Sequence, residues 1–385
     1  MKKELEIYIH IPFCIKKCAY CDFLSGPQDE ETIELYVSSL LEEIQAHASN
    51  EQFTSDYEVT TIFLGGGTPS VLNTSQIHRI FETLTTSFKI SQDAEITIEA
   101  NPGTVTREKL LTYRTCGINR ISFGLQSTNN EELKLLGRIH TYEEFLESYQ
   151  LARESGFDNI NVDLISAIPR QTVSSWEETL QKVVALKPEH ISAYSLIVEE
   201  GTPFAKMYGE GCPGEYDLPS EEVERAIYYR TEDLLLGAGY HRYEISNYAK
   251  ERKECKHNLG YWERKEYLGI GLGAASLVQN TRYKNVDDLS YYMERSSDIK
   301  AIQENVEKLL LQEQMEEFMF LGLRKMEGVS ITKFENTFGK NIDECYGVQI
   351  QKLVEQGLLE RKNGRVMLTK QGIDVSNYVF GEFLI

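Results

Sequence analysis

Between residues 5 and 198, short runs rich in β-branched residues alternate with longer amphipathic stretches. The runs are LEIYIHI (5–11), VTTIFL (59–64), EITIEA (95–100), NRISFGLQ (119–126), NINVDLISAI (159–168) and EHISAYSLIV (189–198). Segments such as ETIELYVSSLLEEIQAHA (31–48) separate them, with Ile33, Tyr36, Val37, Leu40, Leu41 and Ile44 on one helical face. A strand followed by a helix, repeated, is the pattern of βα units around a parallel sheet. Six such units predict an α/β fold built on a partial (β/α)6 barrel, with a doubly wound open sheet as the competitor.

The placing of polar residues and glycines favours the barrel. Cys14, Cys18 and Cys21 follow the first run and GGGTPS (65–70) the second. Glu99 ends the third run, Gln126 ends the fourth, Asp163 lies in the fifth, and Ile-Val-Glu-Glu closes the sixth. The carboxyl ends of successive strands are where such sheets place chemistry, so the order predicts one site assembled by many strands. Residues 199–300 are less regular, with a helix expected near 220–237 and a strand near 241–246. The tail differs again: a helix near 302–326, another near 343–356, then LLERKNGRVMLT, whose Asn363-Gly364 is a strong hairpin signal. It reads as a small winged-helix-like α+β domain. The expected division is a barrel over 1–245, a connecting segment over 246–300 and a C-terminal domain over 301–385.

Composition narrows the function. A net charge of −20 argues against wrapping a phosphate backbone, which needs a local excess of Lys and Arg. The tail carries seven Lys/Arg against six Asp/Glu between 329 and 376, so it reads as a packing or partner domain and no nucleic acid is expected. Glu4 and Glu6 interrupt any export signal, and no stretch approaches the roughly 18 apolar residues of a membrane span. The reading is cytoplasmic, with membrane association at most peripheral and thiols kept reduced. Cys116, Cys212, Cys255 and Cys345 are scattered singly and read as small buried hydrophobes.

The three clustered cysteines, C-x3-C-x2-C, admit several chemistries. Structural zinc normally takes four ligands, and a three-ligand site is an open, catalytic arrangement. Cys18-x-x-Cys21 also matches the spacing of a thiol redox pair. A [4Fe–4S] cluster explains the absent fourth ligand: three irons take thiolates and one stays open.

YIHIPFCIKKCAYC resembles the opening of the radical S-adenosylmethionine (SAM) superfamily, and more narrowly its coproporphyrinogen III oxidase-like branch. GGGTPS, IEANPGT (98–104), SFGLQS (122–127), LGRIHT (136–141), NVDLI (161–165) and HNLGYW (257–262) continue the match in order. The resemblance implies a [4Fe–4S] cluster on Cys14, Cys18 and Cys21. It implies SAM held by Gly65, Gly66, Gly67, Thr68, Glu99, Gln126, Arg138 and Asp163, with Tyr8 and Tyr20 close to the cluster. The oxidase motif has a further cysteine and a longer leading segment; here Phe23 stands at that position and Cys14 comes early. Those departures resemble the HemW-type haem-chaperone subgroup, which carries H-N-x-x-Y-W. That implies haem as ligand, with His257 or His10 as candidate contacts, a haem-acceptor protein and an electron donor as partners, and SAM cleavage left open. The alternatives are the oxidase itself, another radical SAM enzyme, or a zinc-knob protein with a partner module.

Overall fold

A computed structural model describes residues 2–384. The six runs form six strands: β1 (Lys3–Ile11), β2 (Tyr57–Gly66), β3 (Ile90–Ala100), β4 (Arg120–Gln126), β5 (Ile160–Ser166) and β6 (His190–Ser195). They pair in sequence order, all parallel, each step separated by helices that cover the outer face. The helix Glu30–Ala48 shows why: Tyr36, Val37, Leu40 and Ile44 are buried on the face the periodicity marks, and Asp29 caps its first turn through Thr32 N. Side chains from β1 to β6, among them Tyr8, Phe63, Glu99, Ser122, Asp163 and Tyr194, line one interior cavity. The sheet therefore curls into a partial barrel.

The stretch expected as a connector is instead built into this sheet. β7 (His241–Arg242) and β8 (Asn247–Ala249) add antiparallel strands beside β6. β9 (Tyr267–Ile270) joins β1 in parallel, and β10 (Ala275–Val278), β11 (Thr281–Asn285) and β12 (Gln303–Lys308) extend that edge. The result is one twelve-stranded sheet ordered β12-β11-β10-β9-β1-β2-β3-β4-β5-β6-β8-β7. β12 also replaces the start of the helix expected at 302–326, which begins only at Leu311. Its sequence, QENVEK, has no strand signature; pairing with β11 decides its form. Buried Glu43 anchors this extension, accepting from Gly271 N (2.8 Å), Asn285 Nδ2 (2.7 Å) and Tyr292 Oη (2.5 Å).

The C-terminal domain follows Lys308. It holds the helices Leu311–Gly322, Ile331–Phe338 and Ile342–Glu355 and an antiparallel sheet of β13 (Val329–Ser330), β15 (Arg365–Leu368) and β14 (Leu359–Lys362). Asn363 and Gly364 both take positive φ, as the hairpin signal requires. Its separate core includes Phe318, Met319, Phe334, Tyr346 and Leu353. It docks on the barrel through Arg324, stacked on Trp262 at 4.4 Å, and through Glu317, which pairs with Arg264 and Arg282. Among the scattered cysteines only Cys255 is fully buried; Cys116, Cys212 and Cys345 are half-buried.

Candidate functional site

The cysteine loop is closed at its neck and pinned at its far side. After β1, Cys14 N donates to Gly26 O (3.1 Å) and Gly26 N to Pro12 O (3.0 Å). Ala19 N donates to Leu136 O, and Phe204 N to Ala19 O, both at 3.0 Å, which tie the loop to the segments after β4 and β6. Tyr20 packs edge-on against Phe204. Cys14, Cys18 and Cys21 are half-buried and face a cleft of about 410 Å³.

Two thiols receive hydrogen bonds from the barrel. Thr68 Oγ1 donates to Cys14 Sγ and Arg138 Nη1 to Cys18 Sγ, each at 3.4 Å. Asn101 joins the two donors: its Nδ2 donates to Thr68 Oγ1 (2.9 Å) and its Oδ1 accepts from Arg138 Nη2 (2.6 Å). Arg138 also donates to Gly124 O (2.6 Å), while its Nε is buried without a partner among the described residues. Asn101 was not singled out from sequence, although it lies inside IEANPGT.

The same cleft is lined by Gly66, Gly67, Glu99, Gln126 and Asp163. Gly66 N donates to Glu99 Oε2 (3.2 Å). Burial, reinforced by the charge of Asp163, pushes the Glu99 carboxyl up to about 8. Asp163 accepts from Ser122 Oγ (2.9 Å) and Asn161 Nδ2 (2.8 Å), which lie within SFGLQS and NVDLI and carry no signal of this role in the sequence. Gln126 ends β4 at φ 72°, a left-handed backbone that turns the chain into the loop carrying Arg138. Gly65 lies just outside the lining, and a Cβ there would press on Phe63 and Glu99. Tyr8 lies one layer deeper, lining a cavity of about 190 Å³ beneath the cleft.

Both candidate haem histidines are engaged elsewhere. His10 is buried, with Nδ1 at 2.9 Å from Tyr8 Oη and Nε2 at 2.9 Å from Leu24 O. It fills the space above Gly66, joining the glycine turn to the end of the cysteine loop. His257 sits on the helix Lys256–Trp262, which plugs the opposite end of the barrel, against Glu6, Thr61 and Glu95. Its Nδ1 lies 2.6 Å from Thr61 Oγ1 and its Nε2 3.0 Å from Tyr261 Oη, and burial lowers its pKa to about 3. Neither ring presents a free nitrogen to the cleft. H-N-x-x-Y-W here builds the barrel floor and, through Trp262, the seat of the C-terminal domain.

A partial barrel with three cysteines after its first strand and a glycine turn after its second defines a radical SAM protein. The radical SAM superfamily model matches residues 8–183, and that of the HemN C-terminal domain matches residues 309–375. The chain is 38% identical to the heme chaperone HemW of Lactococcus lactis over 100% of its own length and 98% of that protein. It is 36% identical to heme chaperone HemW of Bacillus subtilis, covering 98% of each. Radical S-adenosyl methionine domain-containing protein 1, mitochondrial, of Danio rerio is 31% identical over 95% of this chain and 85% of that one. The solved coproporphyrinogen III oxidase (HemN) of Escherichia coli superposes with a TM-score of 0.85 at 24% identity, covering 99% of this chain and 90% of that one, and so shares the fold. The chain belongs to the HemW family of the radical SAM superfamily.

Proposed function

We propose that the protein binds haem and passes it to an acceptor protein, with a [4Fe–4S] cluster on Cys14, Cys18 and Cys21 and SAM in the adjoining cleft. The observation that carries the reading is end-to-end similarity to relatives named as heme chaperones, together with Phe23 in place of the cysteine expected of the oxidase.

The donor set supports a cluster over a single ion. A structural zinc normally takes four protein ligands, whereas a four-iron cluster with one open iron takes three thiolates, and Thr68 and Arg138 supply sulfur-directed hydrogen bonds of the kind that tune such clusters. For SAM, the backbone of Gly65, Gly66 and Gly67 with Thr68 would border the methionyl end. Glu99, Gln126, Arg138 and Asp163 would meet its polar groups, with Tyr20 beside the cluster and Tyr8 in the layer beneath it. When bound and reduced by an electron donor, the pair supplies homolytic carbon–sulfur cleavage. Near neutral pH Glu99 is substantially protonated in the free protein, so it can donate a hydrogen bond as well as accept one. Among the described residues no helix is long and apolar enough to cross a membrane.

The test uses anaerobically reconstituted protein. Hemin titration is expected to show a stoichiometric complex that loads apomyoglobin, a probe acceptor, with little decarboxylation of coproporphyrinogen on the same sample. Decarboxylation at an enzyme-like rate would replace this reading with the oxidase. Cys14→Ala is expected to reduce iron and sulfide well below the roughly four of each per chain that a full cluster carries; unchanged iron and sulfide would remove Cys14 from the ligand set, and wild type carrying zinc without sulfide would return the site to the zinc alternative. Asn101→Ala leaves Arg138 and Thr68 without their common anchor. The cluster midpoint potential is then expected to fall by on the order of 50 mV in a redox titration followed by electron paramagnetic resonance.

A further inference from the structure

Resting on the haem-binding reading, we infer that haem lies across the mouth of the cysteine cleft, outside the barrel. Its macrocycle would rest on Phe23, Leu196 and Ile197 and its propionates would point to Lys16 and Lys17. All five residues line the cleft. Phe23 is 61% and Ile197 67% exposed, unusual for large apolar side chains that share one concave surface. Lys16 and Lys17 are exposed beside them, and Lys17 Nζ donates to Phe23 O (2.8 Å), which holds cation and aromatic ring on one stretch of loop. A flat apolar ring with two carboxylates on one edge needs that combination. Against the acidic rim residues Asp22 and Glu199, the lysine pair supplies the only cations at the mouth among the described residues besides enclosed Arg138.

The other cavities fit haem poorly. The space beneath the cleft is about 190 Å³ and carries Arg120, Glu99 and Asp163, too small and too charged for a tetrapyrrole. The cavity between the helix Glu221–Gly237 and β6 is larger, about 410 Å³, but presents Glu221, Glu224 and Asp374 against a single Arg225. Propionates would be repelled there. The buried, doubly bonded ring nitrogens of His10 and His257 point the same way. Placed at the mouth, haem covers the exit of the cleft, so haem binding and SAM exchange become coupled without sharing residues deep in the site.

The test titrates hemin into the full-length, cluster-loaded protein and into two variants, Phe23→Ala with Ile197→Asp, and Lys16→Glu with Lys17→Glu. Absorption of the cluster and binding of SAM report that each variant is folded and loaded. Ile197→Asp alone lies outside the cysteine loop and serves if the double variant loses its cluster. Haem affinity is expected to fall at least fivefold in each variant, and SAM dissociation from wild type is expected to slow at least fivefold once haem is bound. Wild type that binds haem while the variants bind it within fivefold overturns the proposed location. Wild type that binds no haem overturns the haem-chaperone reading itself. Tyr228→Ala, in the acidic cavity, is expected to leave haem affinity unchanged; a fivefold loss there moves the site.

Discussion

Replacing Glu6 with glutamine is expected to stabilise the protein at pH 8.5 and to flatten the fall of stability above pH 5. Glu6 lies on β1 with no exposed surface, and neither carboxyl oxygen has a hydrogen-bond partner among the described residues. Burial holds its pKa up at about 9, with Lys265 opposing and Glu95 adding to the rise. The folded state therefore binds this proton more tightly than the unfolded chain, whose carboxyl titrates at 4.5. Its contribution is fully present below that value and is lost progressively as pH climbs toward 9. The change between pH 5 and pH 8 is on the order of 2 kcal/mol, after allowing for relaxation around a buried charge. Glutamine keeps the shape and has no charge to expose. Glu99, held near 8, adds a slope of the same sign, so the variant reduces the dependence without abolishing it. Urea unfolding at pH 5.5 and pH 8.5 measures it; a variant less stable than wild type at pH 8.5 would show that Glu6 is ionised and paired in the fold.

Gly66→Ala is expected to cost about 3 kcal/mol and to impair iron incorporation with it. Gly66 takes φ 106°, where an L residue is strained, and a Cβ would stand 2.4 Å from the His10 ring. The ring has no cheap escape, because Tyr8 and Leu24 O hold its two nitrogens. Moving His10 would release Leu24 and with it the end of the cysteine loop. Gly103→Ala is the control: its φ of 78° is also positive, but nothing lies within 4 Å of the added carbon. It should cost about 1 kcal/mol by backbone strain alone. Equal losses for the two variants would mean that the contact with His10 carries nothing.

That contact also changes the reason for the glycine run. By resemblance the three glycines belong to a turn that holds SAM. The structure shows Gly66 making room for His10, and Gly67 lying close enough to the carbonyls of Ile11 and Phe13 that a Cβ would sit 2.7–2.8 Å from each. Their smallness first serves the packing of the glycine turn against the loop that carries the cysteines. A run of glycines states that something approaches closely, and only the neighbours in space say what.

Sequence alone determined the six parallel strands, the helices between them, the cysteine loop and the glycine turn. Each of these is written in local terms: β-branched runs of strand length, a 3.6-residue apolar period, residue types that mark strand ends. The hairpin at Asn363-Gly364 is legible for the same reason. Tertiary structure decided whatever depends on partners distant along the chain. QENVEK became β12 because β11 offers an edge, and the segment after 246 joined both sides of the sheet instead of linking two domains. His257 went to the barrel floor because Thr61 and Tyr261 satisfy its ring there. Asn101 became the joint between Thr68 and Arg138, which a chain read one residue at a time does not reveal. Local pattern sets which elements form, and the hydrogen bonds and burial available between remote segments set where a polar side chain ends up and what it can do.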